Sequence, residues 1–193
     1  MKMKVMILAV LMSMGAVNAT IASDIITKSV NISSSKVAWK GHKVLGSHYG
    51  SISIQSGDLQ FSEDGMLVGG QFSIDMNSIT CEDLTGNSNA KLVAHLKSDD
   101  FFSSATYPEA KFQITRVVPK GTAGDFKIVG DLTIKNITKE IKFEAKITDT
   151  QATASVKVDR SDFNVRFGSG SFFSNLGDKT IYDEFDLDIT LVF

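Results

Sequence analysis

The residues of this chain best equipped for chemistry are three histidines (His42, His48, His95), one cysteine (Cys81) and several carboxylates. A metal site needs such groups to converge at ligand distance. His42 and His48 flank an expected turn and His95 stands on an expected helix, so no spacing demands a shared ion, and no metal ligand is assigned. No G-x-S-x-G, H-E-x-x-H, GxGxxG or Walker pattern occurs, and no catalytic residue is assigned. Asp99-Asp100 could serve acid–base work, but turn capping by Asx side chains explains the pair as simply. Cys81 lies in Thr80-Cys81-Glu82, where an acidic neighbour disfavours the thiolate. Arg160 is the sharpest signal. It ends a strand in Val158-Asp159-Arg160-Ser161-Asp162-Phe163, at an expected barrel rim. There a guanidinium can grip an anionic head group bidentately, or pair with Asp159 or Asp162.

The elements that must position these groups are read from composition and periodicity. The chain has 193 residues, with 20 Lys+Arg against 22 Asp+Glu and a net charge of −2. That balance offers no electrostatic footprint for nucleic acid. A lone cysteine excludes an intramolecular disulfide and a cysteine-based zinc framework. Met1–Ala22 reads as a secretory signal peptide, with Lys2 and Lys4 before an apolar run that ends at small residues. Cleavage is expected after Ala19, with Ala22 as the other option, leaving residues 20–193 as one domain exported to the periplasm. The apolar run is too short to span a bilayer.

From Lys36 the dominant period is two. Apolar alternation marks eight strands: around Val37/Trp39, Ile52–Phe61, Val68–Met76, Phe112/Ile114, Phe126–Ile134, Ile141–Ile147, Ala152–Val158 and Asp183–Phe193. Ser56-Gly57-Asp58 suggests a bulge, and Glu63-Asp64-Gly65 and Lys135-Asn136-Ile137-Thr138 suggest turns. Short connections make neighbours antiparallel. Eight strands, each with one apolar face, form a sandwich or a closed up-and-down barrel; closure removes the edges. Two segments break the pattern. Asn77–Glu109, between the third and fourth strands, carries helical spacing over about Ala90–Ser98. Asp162–Lys179 is rich in Gly, Ser and Phe, and reads as a functional lid or a plain barrel cap.

Three blocks then carry a family resemblance. They are His95-Leu96-Lys97-Ser98-Asp99-Asp100-Phe101-Phe102 with Tyr107-Pro108-Glu109-Ala110-Lys111-Phe112, then Gly130-Asp131-Leu132-Thr133-Ile134-Lys135-Asn136-Ile137-Thr138-Lys139, then Arg160-Ser161-Asp162-Phe163. In order and spacing the chain resembles the YceI family of polyisoprenoid-binding, lipocalin-like bacterial proteins, from about Val30 to Phe193. The resemblance implies an extended lipocalin-like, eight-stranded antiparallel barrel with a long apolar pore. It also implies a bound isoprenoid or similar amphipathic lipid and an exported protein, and no enzymatic activity. Asn164 stands where many members have Gly, and the Gly168–Ser171 segment follows, so the lid differs from those members.

The leading functional reading is therefore a soluble lipid binder holding a polyprenyl or quinone-like chain, for carriage, storage or sensing. No other cofactor is called for. Expected lining positions are Trp39, Phe72, Ile74, Phe112, Phe126, Ile128, Phe143 and Phe185. Expected lid positions are Leu92, Leu96, Phe101, Phe102, Phe172 and Phe173, and expected head-group contacts are His95, Lys97, Arg160 and Arg166. Two alternatives stay open. One is a small outer-membrane barrel, disfavoured because 13 Phe stand against only 3 Tyr and 1 Trp, too few for two aromatic girdles. The other is an enzyme using His95 and an aspartate in the cavity. Nothing in the sequence sets the oligomeric state, and a homodimer is compatible with it.

Overall fold

The computed structural model describes residues 24–193, so the expected signal peptide lies outside the described residues. Among the described residues nine strands form one antiparallel sheet: β1 (Ile25–Ser29), β2 (Lys36–Lys43), β3 (Gly46–Ser62), β4 (Leu67–Asp75), β5 (Glu109–Pro119), β6 (Asp125–Ile134), β7 (Ile137–Ile147), β8 (Gln151–Asp159) and β9 (Ile181–Val192). The sheet order is β1-β3-β2-β9-β8-β7-β6-β5-β4, and a further β3–β4 pairing closes β2–β9 into an eight-stranded barrel. These eight are the strands expected from the alternation. The helix α1 (Gly86–Lys97) falls between the third and fourth of them, starting four residues earlier than Ala90.

The ninth strand, β1, is an addition. The seventeen-residue β3 is long enough to pair with β2 over its first half and β1 over its second. The chain crosses from one to the other through a 3-10 turn at Ile32–Ser34, capped by the Asn31 side chain, which accepts from the Ser34 amide. The bulge in β3 falls at Gln55, just before the expected Ser56-Gly57-Asp58, where the register with β4 slips between Ile54 and Ser56.

Turn chemistry sets the hairpins. Of the expected turn Lys135–Thr138, Ile137 and Thr138 already pair with β6, and only Lys135 and Asn136 turn, both at positive φ (51° and 59°) between the paired Ile134 and Ile137. That is the type I′ geometry whose twist matches the strands it joins. Gly50 allows a close approach: a Cβ there would lie 2.0 Å from the Thr80 carbonyl oxygen, so the 76–83 segment lies directly on β3.

One end of the barrel is closed by buried Val30, Phe61 and Leu191, with Phe61 and Phe193 rings 5.8 Å apart. The other is capped by α1 and the segment 160–180. Between them, the inner faces pack two continuous apolar clusters, one around Ile128 and Leu59, the other around Val158 and Phe163. The outer face of β7 is charged (Glu140, Lys142, Glu144, Lys146), as are Lys157 on β8 and Asp186 and Asp188 on β9. Apolar inside and charged outside is the reverse of a bilayer-spanning barrel. Among the described residues no helix is long and apolar enough to cross a membrane.

Candidate functional site

The barrel encloses a cavity of about 220 Å³ bordered almost wholly by apolar side chains. Its lining runs from Leu59, Leu67, Ile147 and Leu191 at the β1 end to Leu96, Phe101, Phe102 and Tyr182 under the cap. Along β9 it spans Ile181 to Leu191. Ten residue steps at about 3.3 Å, on a strand tilted about 40°, give a length of about 25 Å. Drawn out over that length, the cavity is a narrow apolar channel.

Of the expected lining residues, Trp39, Phe72, Ile74, Phe112, Ile128, Phe143 and Phe185 border the channel. Phe126 is buried in the adjoining core but does not border it. Phe72, Phe112 and Phe143 form an aromatic run, with centroids 6.4 Å and 5.6 Å apart. Trp39 satisfies its indole N–H on the Thr80 carbonyl at 2.9 Å, which leaves the ring free to line an apolar surface.

The expected lid positions separate. Leu96, Phe101 and Phe102 border the channel. Leu92 packs behind them, against the cluster of Trp39, Ile79 and Leu96. Phe172 and Phe173 stand 40% and 49% exposed and do not reach the channel. Helix α1 is held in place at its start by Asn89, whose side-chain amide donates to the carbonyls of Cys81 and Leu84.

The four head-group candidates do not converge. Lys97 lies on the last turn of α1, and Arg166 lies over the Phe172 ring at 4.8 Å. His95 packs edge-on to Phe167 at 4.3 Å, and its buried Nε2 has no hydrogen-bond partner among the described residues. The aspartate that an acid–base pair with His95 would need is therefore not hydrogen-bonded to that nitrogen. Arg160 borders the channel but is 2% exposed. Its guanidinium donates to three backbone carbonyls: Val165 at 2.8 Å, Ile181 at 3.0 Å and Tyr182 at 3.2 Å. It also makes an ion pair with Asp183 at 3.3 Å and sits over the Phe101 ring at 5.3 Å. The pairings weighed from sequence are not the ones formed: Asp159 caps the next turn through Ser161, and Asp162 meets Lys139. Arg160 staples the cap to the start of β9. Its partners are backbone carbonyls, which no sequence pattern displays.

His42 pairs with Asp186 at 2.6 Å, and His48 with Asp83 at 2.7 Å. Burial would push the Asp83 carboxyl up, but hydrogen bonds from His48, the Tyr49 amide and Cys81 outweigh it and hold the group at about 2. Burial raises the Cys81 thiol, which donates to Asp83 at 3.3 Å, so this sulfur is held as the unreactive thiol. Among the described residues no three His, Cys, Asp or Glu side chains gather as a metal site would need.

The fold and this interior define a closed antiparallel barrel built around an apolar channel. The chain belongs to the YceI-like domain family, which matches residues 29–193. A UPF0312 protein of Shewanella denitrificans is 36% identical over 89 residues, 46% of this chain and 44% of that one. Protein YceI of Escherichia coli is 35% identical over 86 residues, 39% of this chain and 44% of that one. The chain thus spans about half the length of the curated relatives it matches. Among solved structures, Burkholderia cenocepacia BcnA superposes with a TM-score of 0.65 at 22% identity, over 85% of this chain and 99% of that one. A polyisoprenoid-binding domain from Saccharophagus degradans gives 0.57 at 14% identity, over 88% and 98%. At these identities the two structures share the fold.

Proposed function

We propose that this protein is an exported lipid binder that holds one long apolar chain, polyprenyl or quinone-like, along the barrel axis. The narrow apolar channel, about 25 Å long, carries the reading. Each methylene withdrawn from water contributes about 0.8 kcal/mol, so a long tail binds firmly without polar chemistry. The polyisoprenoid-binding domain that shares the fold supports the ligand class. Trp39, Phe72, Phe112, Ile128 and Phe143 contact the chain in this reading, and Leu96, Phe101 and Phe102 cover its end. Periplasmic localisation rests on the N-terminal signal pattern and is tested by fractionating cells that express the full chain.

The deciding experiment is extraction of detergent-free protein with organic solvent, followed by mass spectrometry. A stoichiometric isoprenoid or similar long-chain lipid is expected. The sole tryptophan, Trp39, gives a second readout, because all-trans-retinol in the channel quenches it by energy transfer. Lipid-free extracts from every preparation, with Trp39 emission unchanged by retinol, would rule out the function.

A further inference from the structure

A chain buried in a closed barrel must enter somewhere, and three routes are available. At the β1 end the way is filled by buried Val30, Phe61 and Leu191. At the capped end, the Arg160 guanidinium ties Val165, Ile181 and Tyr182 together through their carbonyls, and opening there would strand a buried charge. The third route is the wall itself.

The wall is not uniformly bonded. Strand β7 pairs with β6 along its length, from Ile137 to Lys146, and β8 pairs with β9 from Gln151 to Asp159. Between β7 and β8, however, the ladder consists of Ala145–Ala154, Lys146–Thr153 and Ile147–Ala152. The seams on either side are laddered along the full strands. Among the described residues, β7 has no ladder partner on its β8 side from Glu144 back to Ile137, and β8 has none on its β7 side from Ser155 to Asp159. What closes this stretch is apolar side chains. Phe163, from the 3-10 turn that follows β8, packs with Val156 and Val158 against Ile141 and Phe143.

A groove of about 460 Å³ lies on the outer surface where the ladder stops. It is bordered by Ala145, Thr153, Ala154 and Ile189, and the same four residues border the internal channel. The pair facing across the seam there is alanine to alanine, so little side-chain bulk obstructs it. Apart from Phe126 the rest of the groove is polar, with Lys120 and Lys146 against Asp125, Glu144 and Asp188. That balance suits an uncharged hydrogen-bonding end better than an anionic one.

We propose that the β7–β8 seam is a lateral gate. The apolar chain passes between Ala145 and Ala154 as the short ladder parts, and its uncharged polar end comes to rest in the outer groove. This rests on the lipid-binding reading, and the test separates the two. In a Cys81→Ser background, Ala145→Cys with Ala154→Cys places a disulfide across the seam, because opposed antiparallel residues lie within disulfide reach. A control pair, Val44→Cys with Thr180→Cys, ties the cap to the β2–β3 hairpin, where the Val44 amide donates to the Thr180 carbonyl at 3.2 Å.

Stopped-flow quenching of Trp39 by all-trans-retinol reads the loading rate. Oxidising the seam pair is expected to slow loading by about tenfold or more, reversed by dithiothreitol, with the control pair unaffected. Slowing by the control link alone would place the entrance at the cap and overturn the gate. Normal loading with the seam linked overturns it as well, while lipid binding stands. No quenching in the reduced proteins overturns both. Hydrogen exchange provides a second measurement that needs no disulfide. Amides of Lys139–Glu144 that face β8 should exchange well before those of Ile128–Leu132, and equal protection of both segments would show a sealed wall.

Discussion

Arg160 holds more of the cap together than any other side chain, and it does so from a position 2% exposed to solvent. Its partners are three carbonyls and the Asp183 carboxylate, so removing it takes a hydrogen bond from three acceptors and the ion pair from Asp183. Arg160→Met is expected to cost about 3–5 kcal/mol in urea unfolding, the scale of breaking one side of a buried ion pair. Arg160→Lys keeps the charge but not the planar fork, and should recover only part of that loss. Full recovery by lysine would show that charge alone matters there. Asp83 works differently. Its carboxyl is held at about 2, against an ordinary 3.8, so its contribution is complete above about pH 4 and fades as the pH falls toward 2. Asp83→Asn should therefore cost about 1–2 kcal/mol at neutral pH, with the gap from the parent protein narrowing below about pH 4. A gap that stays constant down to about pH 2 in acid titrations of stability would contradict this assignment.

Elements were legible where burial imposes a period. The eight barrel strands each bury one face, so apolar residues recur at every second position, from Val37 and Trp39 through to Ile189 and Leu191. Strand β1 buries neither face; Ile25 and Ile26 are 57% and 50% exposed, and its pairing with β3 leaves no alternation to read. The cap shows the same limit from the other side. Phe101 and Phe102 follow α1 and turn into the channel, whereas Phe172 and Phe173 sit in a Gly/Ser-rich loop and turn out. Residue type cannot separate them, because the difference lies in where the loop's backbone runs. The β6–β7 hairpin is a sharper test at this scale. Both of its turn residues occupy the left-handed region, which a β-branched side chain resists by roughly 1–2 kcal/mol. Asn136→Val should destabilise the barrel by about that amount, while Asn136→Gly is expected to be neutral within about 0.5 kcal/mol. Equal midpoints for both variants in thermal unfolding would refute the turn assignment.

For the whole molecule, the features that make the barrel closed also make its channel costly to leave empty. A narrow apolar tube loses packing contacts along its lining, and a bound chain restores them. A ligand that binds only the folded barrel adds stability of about 2.7 kcal/mol at a hundredfold excess over its Kd. The melting temperature followed by circular dichroism should therefore rise with retinol concentration and keep rising past saturation of Trp39 quenching. A melting temperature indifferent to retinol, in protein whose Trp39 is quenched, would mean that the probe sits outside the folded interior.

The capping staple has a further effect on how this protein can vary. Arg160 reads carbonyl oxygens at Val165, Ile181 and Tyr182, and a carbonyl is the same whatever side chain its residue carries. The latch therefore places no direct demand on the outward-facing loop between its anchor points. Phe167, Phe172 and Phe173 can be exchanged there without touching a hydrogen bond that holds the cap. The surface above the channel is in this sense a replaceable panel on a fixed frame, open to drift in nature and to redesign in the laboratory while the lining beneath it stays as it is.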